Sequence, residues 1–174
     1  MPSTLIPSWK RLLAFVLLCA AFYAALAQAW ERGLARWLIE GLTVPPAAWL
    51  ARLVCGDPGI VAQGARLVSP SASLNVLFGC EGTDVLLVLA AALLVTPVRW
   101  SRRCAGLLAG MLVVFAVNQL RLLALFLALR AAGGWFGPLH GLVAPLVVVA
   151  LVAAYYFLWL RWSQTPGYPH GASG

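Results

Sequence analysis

Three short stretches of this 174-residue chain carry residue types that can do chemistry together: Gly79-Cys80-Glu81-Gly82, Asn118-Gln119-Leu120-Arg121 and Pro138-Leu139-His140-Gly141. A thiolate is the strongest nucleophile among these groups, and a cation or imidazolium beside a thiol favours that form. An imidazole can take the thiol proton and return it to a leaving amine. A guanidinium is no base, but as a fixed cation it stabilises the oxyanion of a tetrahedral intermediate. Cys80, His140 and Arg121 in these roles make nucleophilic acyl transfer. Asn118 lies one helical turn before Arg121 and can orient it or donate a hydrogen bond. Asp84, one turn after Cys80, is either a partner for Arg121 or an interfacial acid. Glu81 is expected to face solvent, Cys19 and Cys104 to be small buried hydrophobes, and Arg130 to snorkel.

The elements that position these residues follow from composition. The chain is 63% hydrophobic and only 10% charged, with a mean hydropathy of +0.92. Soluble domains carry about 25% charged residues, and a chain of this size leaves much of its surface exposed after folding. The fold expected is an all-α integral membrane protein with four transmembrane helices and a small extracytoplasmic cap. Disorder and disulfide scaffolds are excluded. The net charge of +7 is spread thin, with no basic run longer than Arg102-Arg103, so nothing offers a patch for nucleic acid.

Apolar runs place the spans at about 12–29, 84–98, 104–129 and 141–160, within one membrane domain over 1–162. The first also reads as a secretory signal peptide, with Lys10-Arg11 before it and Ala25-Leu26-Ala27 as a small-residue cleavage site. Lys10, Arg11, Arg99, Arg102, Arg103 and Arg161 collect on one side, which places both termini and the 99–103 turn in the cytoplasm. Trp9, Trp100, Trp159 and Trp162 then fall at the inner boundary, and Trp30, Trp37, Trp49 and Trp135 at or beyond the outer one. The cap, about 30–79, should hold an interfacial helix through Leu34, Trp37, Leu38 and Ile39, which Pro45-Pro46 ends, and Pro46 can start a second helix through Trp49, Leu50 and Leu53. Two short strands follow between Gly59 and Leu77. Residues 163–174 read as a flexible cytoplasmic tail.

The depths of the three chemical residues coincide. Cys80 precedes the second span and His140 the fourth, both on the outer side. Arg121 lies 17 residues after Cys104, about 26 Å along a helix at 1.5 Å per residue. A hydrocarbon core is about 30 Å thick, so Arg121 also arrives near the outer edge. Ionisable groups at such positions are costly and usually functional.

In this order and on successive spans, Gly79-Cys80-Glu81-Gly82, Asn118-x-x-Arg121 and His140 resemble the exosortase/archaeosortase family, over roughly 59–149. These are polytopic prokaryotic membrane proteases or transpeptidases. The resemblance implies Cys80, Arg121 and His140 as catalytic residues, with Asn118 and Asp84 in support. It implies a protein substrate with a C-terminal sorting signal, made of a recognition motif, a transmembrane helix and a basic cluster. It also implies a thioester acyl-enzyme at the outer face of a prokaryotic inner membrane, resolved by an amine or by water. No cofactor is called for.

Two other readings compete. A quinone-linked thiol oxidoreductase would need a Cys-x-x-Cys pair, which the sequence lacks, although Cys55 and Cys80 could form one disulfide. A non-catalytic subunit or small transporter would bring polar groups to several depths near the midplane, whereas here they gather at one boundary. The only other histidine is His170, on the wrong side for a metal set with Cys80 and His140, and no glycine-rich phosphate loop is present.

Overall fold

The computed structural model describes residues 8–131 and 134–164. Five helices and three strands follow in order: α1 (Ser8–Glu31), α2 (Leu34–Cys55), β1 (Val61–Gln63), β2 (Arg66–Ser69), β3 (Ala72–Asn75), α3 (Thr83–Val95), α4 (Trp100–Arg130) and α5 (Phe136–Gln164). Four of the helices, α1, α2, α4 and α5, are long and apolar enough to cross a membrane. Three of them, α1, α4 and α5, cover the expected stretches 12–29, 104–129 and 141–160; the fourth, α2, is not among the expected spans. The stretch at 84–98 is helical for only 13 residues, about 20 Å. Thr96 precedes Pro97 and is extended, with ψ 128°, because the proline ring disfavours helical geometry in the residue before it.

The place of that span among the long helices is taken by α2, in the region expected to be a cap. Pro45-Pro46 stand in the first turn of the expected second helix, Val44–Cys55, but the helix before them runs straight into it instead of stopping. The turn before them, Trp37–Thr43, widens to a π-helical spacing, and Val44 N–H bonds to Ile39 O. The Thr43 hydroxyl donates to Leu38 O at 2.8 Å, a side-chain bond in the turn just before two prolines that bring no N–H of their own. At the other boundaries, Trp100 to Arg103 form the first turn of α4 rather than a connecting turn. Helix α5 begins at Phe136, because proline is tolerated in a first helical turn, so His140 lies inside the helix and not before it. Ser163 is buried near the end of α5; the rest of the expected tail, from 165, falls outside the described residues.

Helices α3 and α5 both pack along α4, and α1 packs along α3. At one end of the bundle the seam is polar. Arg103 Nε donates to Thr96 O at 3.1 Å, Trp159 Nε1 to Arg102 O at 3.1 Å, and the Thr96 and Tyr156 hydroxyls lie 2.9 Å apart. Trp159 is thus buried in the seam rather than set at a boundary. It fits because Gly106 has no side chain: a Cβ there would sit 2.3 Å from Trp159 Nε1.

The opposite end of α4 is sheathed by α2 and the sheet. The antiparallel sheet has three strands, one more than expected, in the order β1-β2-β3. Leu67, Leu74 and Val76 from the sheet region meet Val44, Ala47, Ala48 and Ala51 of α2 and Leu122, Leu125 and Phe126 of α4 in one buried cluster. The alanines let α2 approach α4 closely. Arg130 closes this end with a 2.9 Å ion pair to Asp57, so it has a protein partner instead of snorkelling.

Candidate active site

The nucleophile candidate sits on a tight loop between the sheet and α3. Gly79 and Gly82 both have positive φ, +82° and +86°, which a side chain would make costly. Cys80 N–H turns back to Leu77 O at 2.9 Å. The loop is tied to α4 by Asn118, whose Nδ2 donates to Cys80 O at 3.1 Å. Asn118 is only 2% exposed, and a Cβ on Gly82 would lie 3.2 Å from its Cγ. The tie is therefore both a hydrogen bond and a close contact that only glycine permits. Asn118 holds the loop that bears Cys80.

Cys80 and His140, 60 positions apart in sequence, line one cavity of ≈ 310 Å³. Its walls are Ser73, Asn75 and Leu77 on the sheet side and Leu122, Leu125, Leu129 and Phe136 on the helix side. The His140 ring is stacked on Phe136, with centroids 5.5 Å apart and planes 3° from parallel. It stands in a second π-helical turn, Leu139–Val143, of the kind that often marks functional positions. His140 Nδ1 is buried with no protein partner.

Arg121 does not line that cavity. At 100° per residue it lies about 60° round α4 from Asn118, on the flank of Gly110. Gly110 faces Leu89 of α3 and Tyr155 of α5, so the guanidinium is carried beside the α3–α5 cleft. Arg121 is half-buried, its Nε is buried without a partner, and no carboxylate pairs with it among the described residues. The alternative in which Asp84 pairs with Arg121 is thus not realised. Asp84 approaches Gly79 and lines a different crevice with Tyr23 and Tyr156.

Glu81 departs from expectation. It is 9% exposed, with one carboxylate oxygen accepting from the Thr83 hydroxyl and the other buried and unpartnered. The two positive-φ glycines fold it inward, a long-range consequence that residue type alone conceals. Gln119 is a second residue that sequence reasoning passed over: it is buried and donates to Thr43 O of α2 at 3.4 Å. Phe136 is a third, and its spacing of four from His140 on one helix was the available signal.

All four cysteines are free thiols, Cys55 and Cys80 included, though both pack against the same apolar cluster. Cys19 and Cys104 are half-buried. Among the described residues no group of three metal-ligating side chains occurs.

The structure thus brings two of the three groups, the Cys80 thiol and an imidazole whose Nδ1 has no protein partner, to one cavity, and leaves Arg121 on α4 one turn beyond the Asn118 that holds the Cys80 loop. Comparison with known proteins adds nothing to this geometry: no family model, no curated protein and no solved structure matches the chain.

Proposed function

We propose that the chain is a membrane-embedded cysteine peptidase or transpeptidase of the exosortase/archaeosortase kind. The observation that carries the reading is the cavity that Cys80 and His140 share, with Arg121 one turn along α4 from the Asn118 that holds the Cys80 loop. His140 takes the Cys80 proton, and Sγ attacks a peptide carbonyl of an exported protein's C-terminal sorting signal. Arg121 stabilises the oxyanion. The C–N bond breaks as His140 returns the proton to the leaving amine, and a thioester remains. An amine or water then attacks the thioester. The sheet end of the bundle faces outward in this reading, and both termini face the cytoplasm. Exposed apolar side chains along α1, α4 and α5, among them Leu12, Val16, Leu112 and Leu158, suit a lipid surrounding.

The test uses a chain in which Cys19, Cys55 and Cys104 are alanine, expressed in spheroplasts and treated with a membrane-impermeant maleimide. Cys80 is expected to react at neutral pH without reductant, and His140→Ala or Arg121→Ala to slow it about tenfold. A reporter carrying a sorting signal should lose its C-terminal segment only where Cys80 is intact, with His140→Ala lowering the rate by about 10²-fold or more. A Cys80 inert from the outside, or indifferent to both substitutions, overturns the proposal.

A further inference from the structure

We propose that the peptide presented to Cys80 binds in extended form, as a fourth strand on the open edge of β3. The inference rests on the reading of Cys80 as the nucleophile and says how its substrate is held.

Strand β3 is the sheet's edge, paired only with β2. In an antiparallel ladder alternate residues turn their backbone groups to the neighbouring strand. The register sets Leu74 opposite Leu67 and Ala72 opposite Ser69, and Val76 N–H bonds to Ala65 O at 2.8 Å. Ala72, Leu74 and Val76 therefore address β2, and Ser73 and Asn75 address the open side. The backbone groups of Ser73 and Asn75 bond to no other described residue. Both residues are exposed, and both line the cavity that holds Cys80 and His140.

The strand packs on α4, but its own sequence carries no guard. Natural sheets guard an open strand with lysine, proline or a bulge, and Ala72–Asn75 has none of these. It offers two N–H and two C=O groups at the two-residue spacing of an extended peptide, the pattern by which a peptide adds to a sheet. Cys80 follows the strand after a turn that bonds its N–H to Leu77 O, and it lines the same cavity as Ser73 and Asn75. The added peptide's backbone then runs towards Sγ. The facing wall of Leu122, Leu125, Leu129 and Phe136 is apolar, so the strand carries an apolar side chain towards α4. The specificity inferred is for an extended segment with one large apolar residue close to the scissile bond.

The full chain in lipid nanodiscs, with Cys80 as its only cysteine, is labelled with two reagents. One is a small maleimide; the other is a tripeptidyl chloromethyl ketone with leucine next to the reactive carbon. The peptidyl reagent should label Cys80 faster than its single-residue analogue. N-methylation of the one amide that faces β3 should remove about tenfold of that rate, while methylation of the next amide leaves it unchanged. Ser73→Pro, which removes an outward N–H and no β2 bond, should slow the peptidyl reagent about tenfold and leave the maleimide rate alone. Equal rates for the methylated and unmethylated reagents overturn strand addition, while the maleimide rate still reports on the nucleophile. A Cys80 inert to both reagents overturns the underlying reading as well.

Discussion

Replacing Gly82 by alanine isolates what holds the Cys80 loop. The residue has φ +86°, and a side chain in that left-handed region costs about 1–2 kcal/mol. The new Cβ would also lie 3.2 Å from Asn118 Cγ and 3.3 Å from its Cβ, closer than ordinary contact. Asn118 is buried on α4 and its amide is engaged with Cys80 O, so relief means displacing that hydrogen bond, worth about 0.5–1.5 kcal/mol. The total expected is about 2–3 kcal/mol. Gly56 supplies the control: its φ is +62° and a Cβ there meets nothing within 4 Å, so Gly56→Ala carries the backbone penalty alone. Unfolding in mixed micelles with rising SDS, followed by circular dichroism, should place Gly82→Ala about 1 kcal/mol below Gly56→Ala. In an Asn118→Ala background that gap should narrow, since Cγ, Oδ1 and the bond are gone and only the Cβ contact at 3.3 Å remains. Maleimide labelling of Cys80 should slow in Gly82→Ala and not in Gly56→Ala. Equal costs at the two glycines, or a gap undiminished by Asn118→Ala, refute the view that Asn118 clamps the loop.

Gly106→Ala should destabilise by about 1–3 kcal/mol or more, because Trp159 Nε1 occupies the added atom's place; Gly137→Ala, which meets nothing, should be neutral, and the same SDS titration reads both. Glu81→Gln should be stabilising by about 1 kcal/mol, since a buried carboxylate with one unpartnered oxygen is dearer than an amide of the same shape; a loss of stability would show that the charge has a partner. Phe136→Ala should slow maleimide labelling of Cys80 several-fold by freeing the His140 ring, while Phe136→Tyr keeps the stacking and the rate.

The order of the chemical residues was legible, and their local supports were not. Span lengths alone put Cys80, Arg121 and His140 at one level; the structure brings Cys80 and His140 to one cavity and ties the Cys80 loop to Asn118, while Arg121 does not line that cavity. The interruption at Pro45-Pro46 misled because a proline pair reads as a stop; whether a helix survives it depends on a widened turn and on the Thr43 hydroxyl, which no periodicity displays. Likewise Thr96-Pro97 shortened α3 where hydropathy continued to Val98. Glu81 looked like a solvated charge because its burial comes from two glycines with positive φ and from helix α4, distant in sequence. The β-like pieces of 59–77 were visible as composition, but a third strand depends on pairing that only the folded chain creates.

Six buried side-chain atoms without protein partners belong to Glu81, Asp84, Asn118, Gln119, Arg121 and His140. These residues flank Cys80, form the adjoining stretch of α4, or line the Cys80 cavity. Left dry, each such atom costs about 1–3 kcal/mol, so together they would consume the whole stability of an ordinary domain. A fold that only needed to close this end of the bundle would have filled it with leucine, as α4 does one turn further on at Leu122 and Leu125. Of the six residues only His140 lines the Cys80 cavity itself. An imidazole nitrogen without a protein partner, beside an open strand edge and a free thiol, is what favours a peptide as the occupant in our proposal.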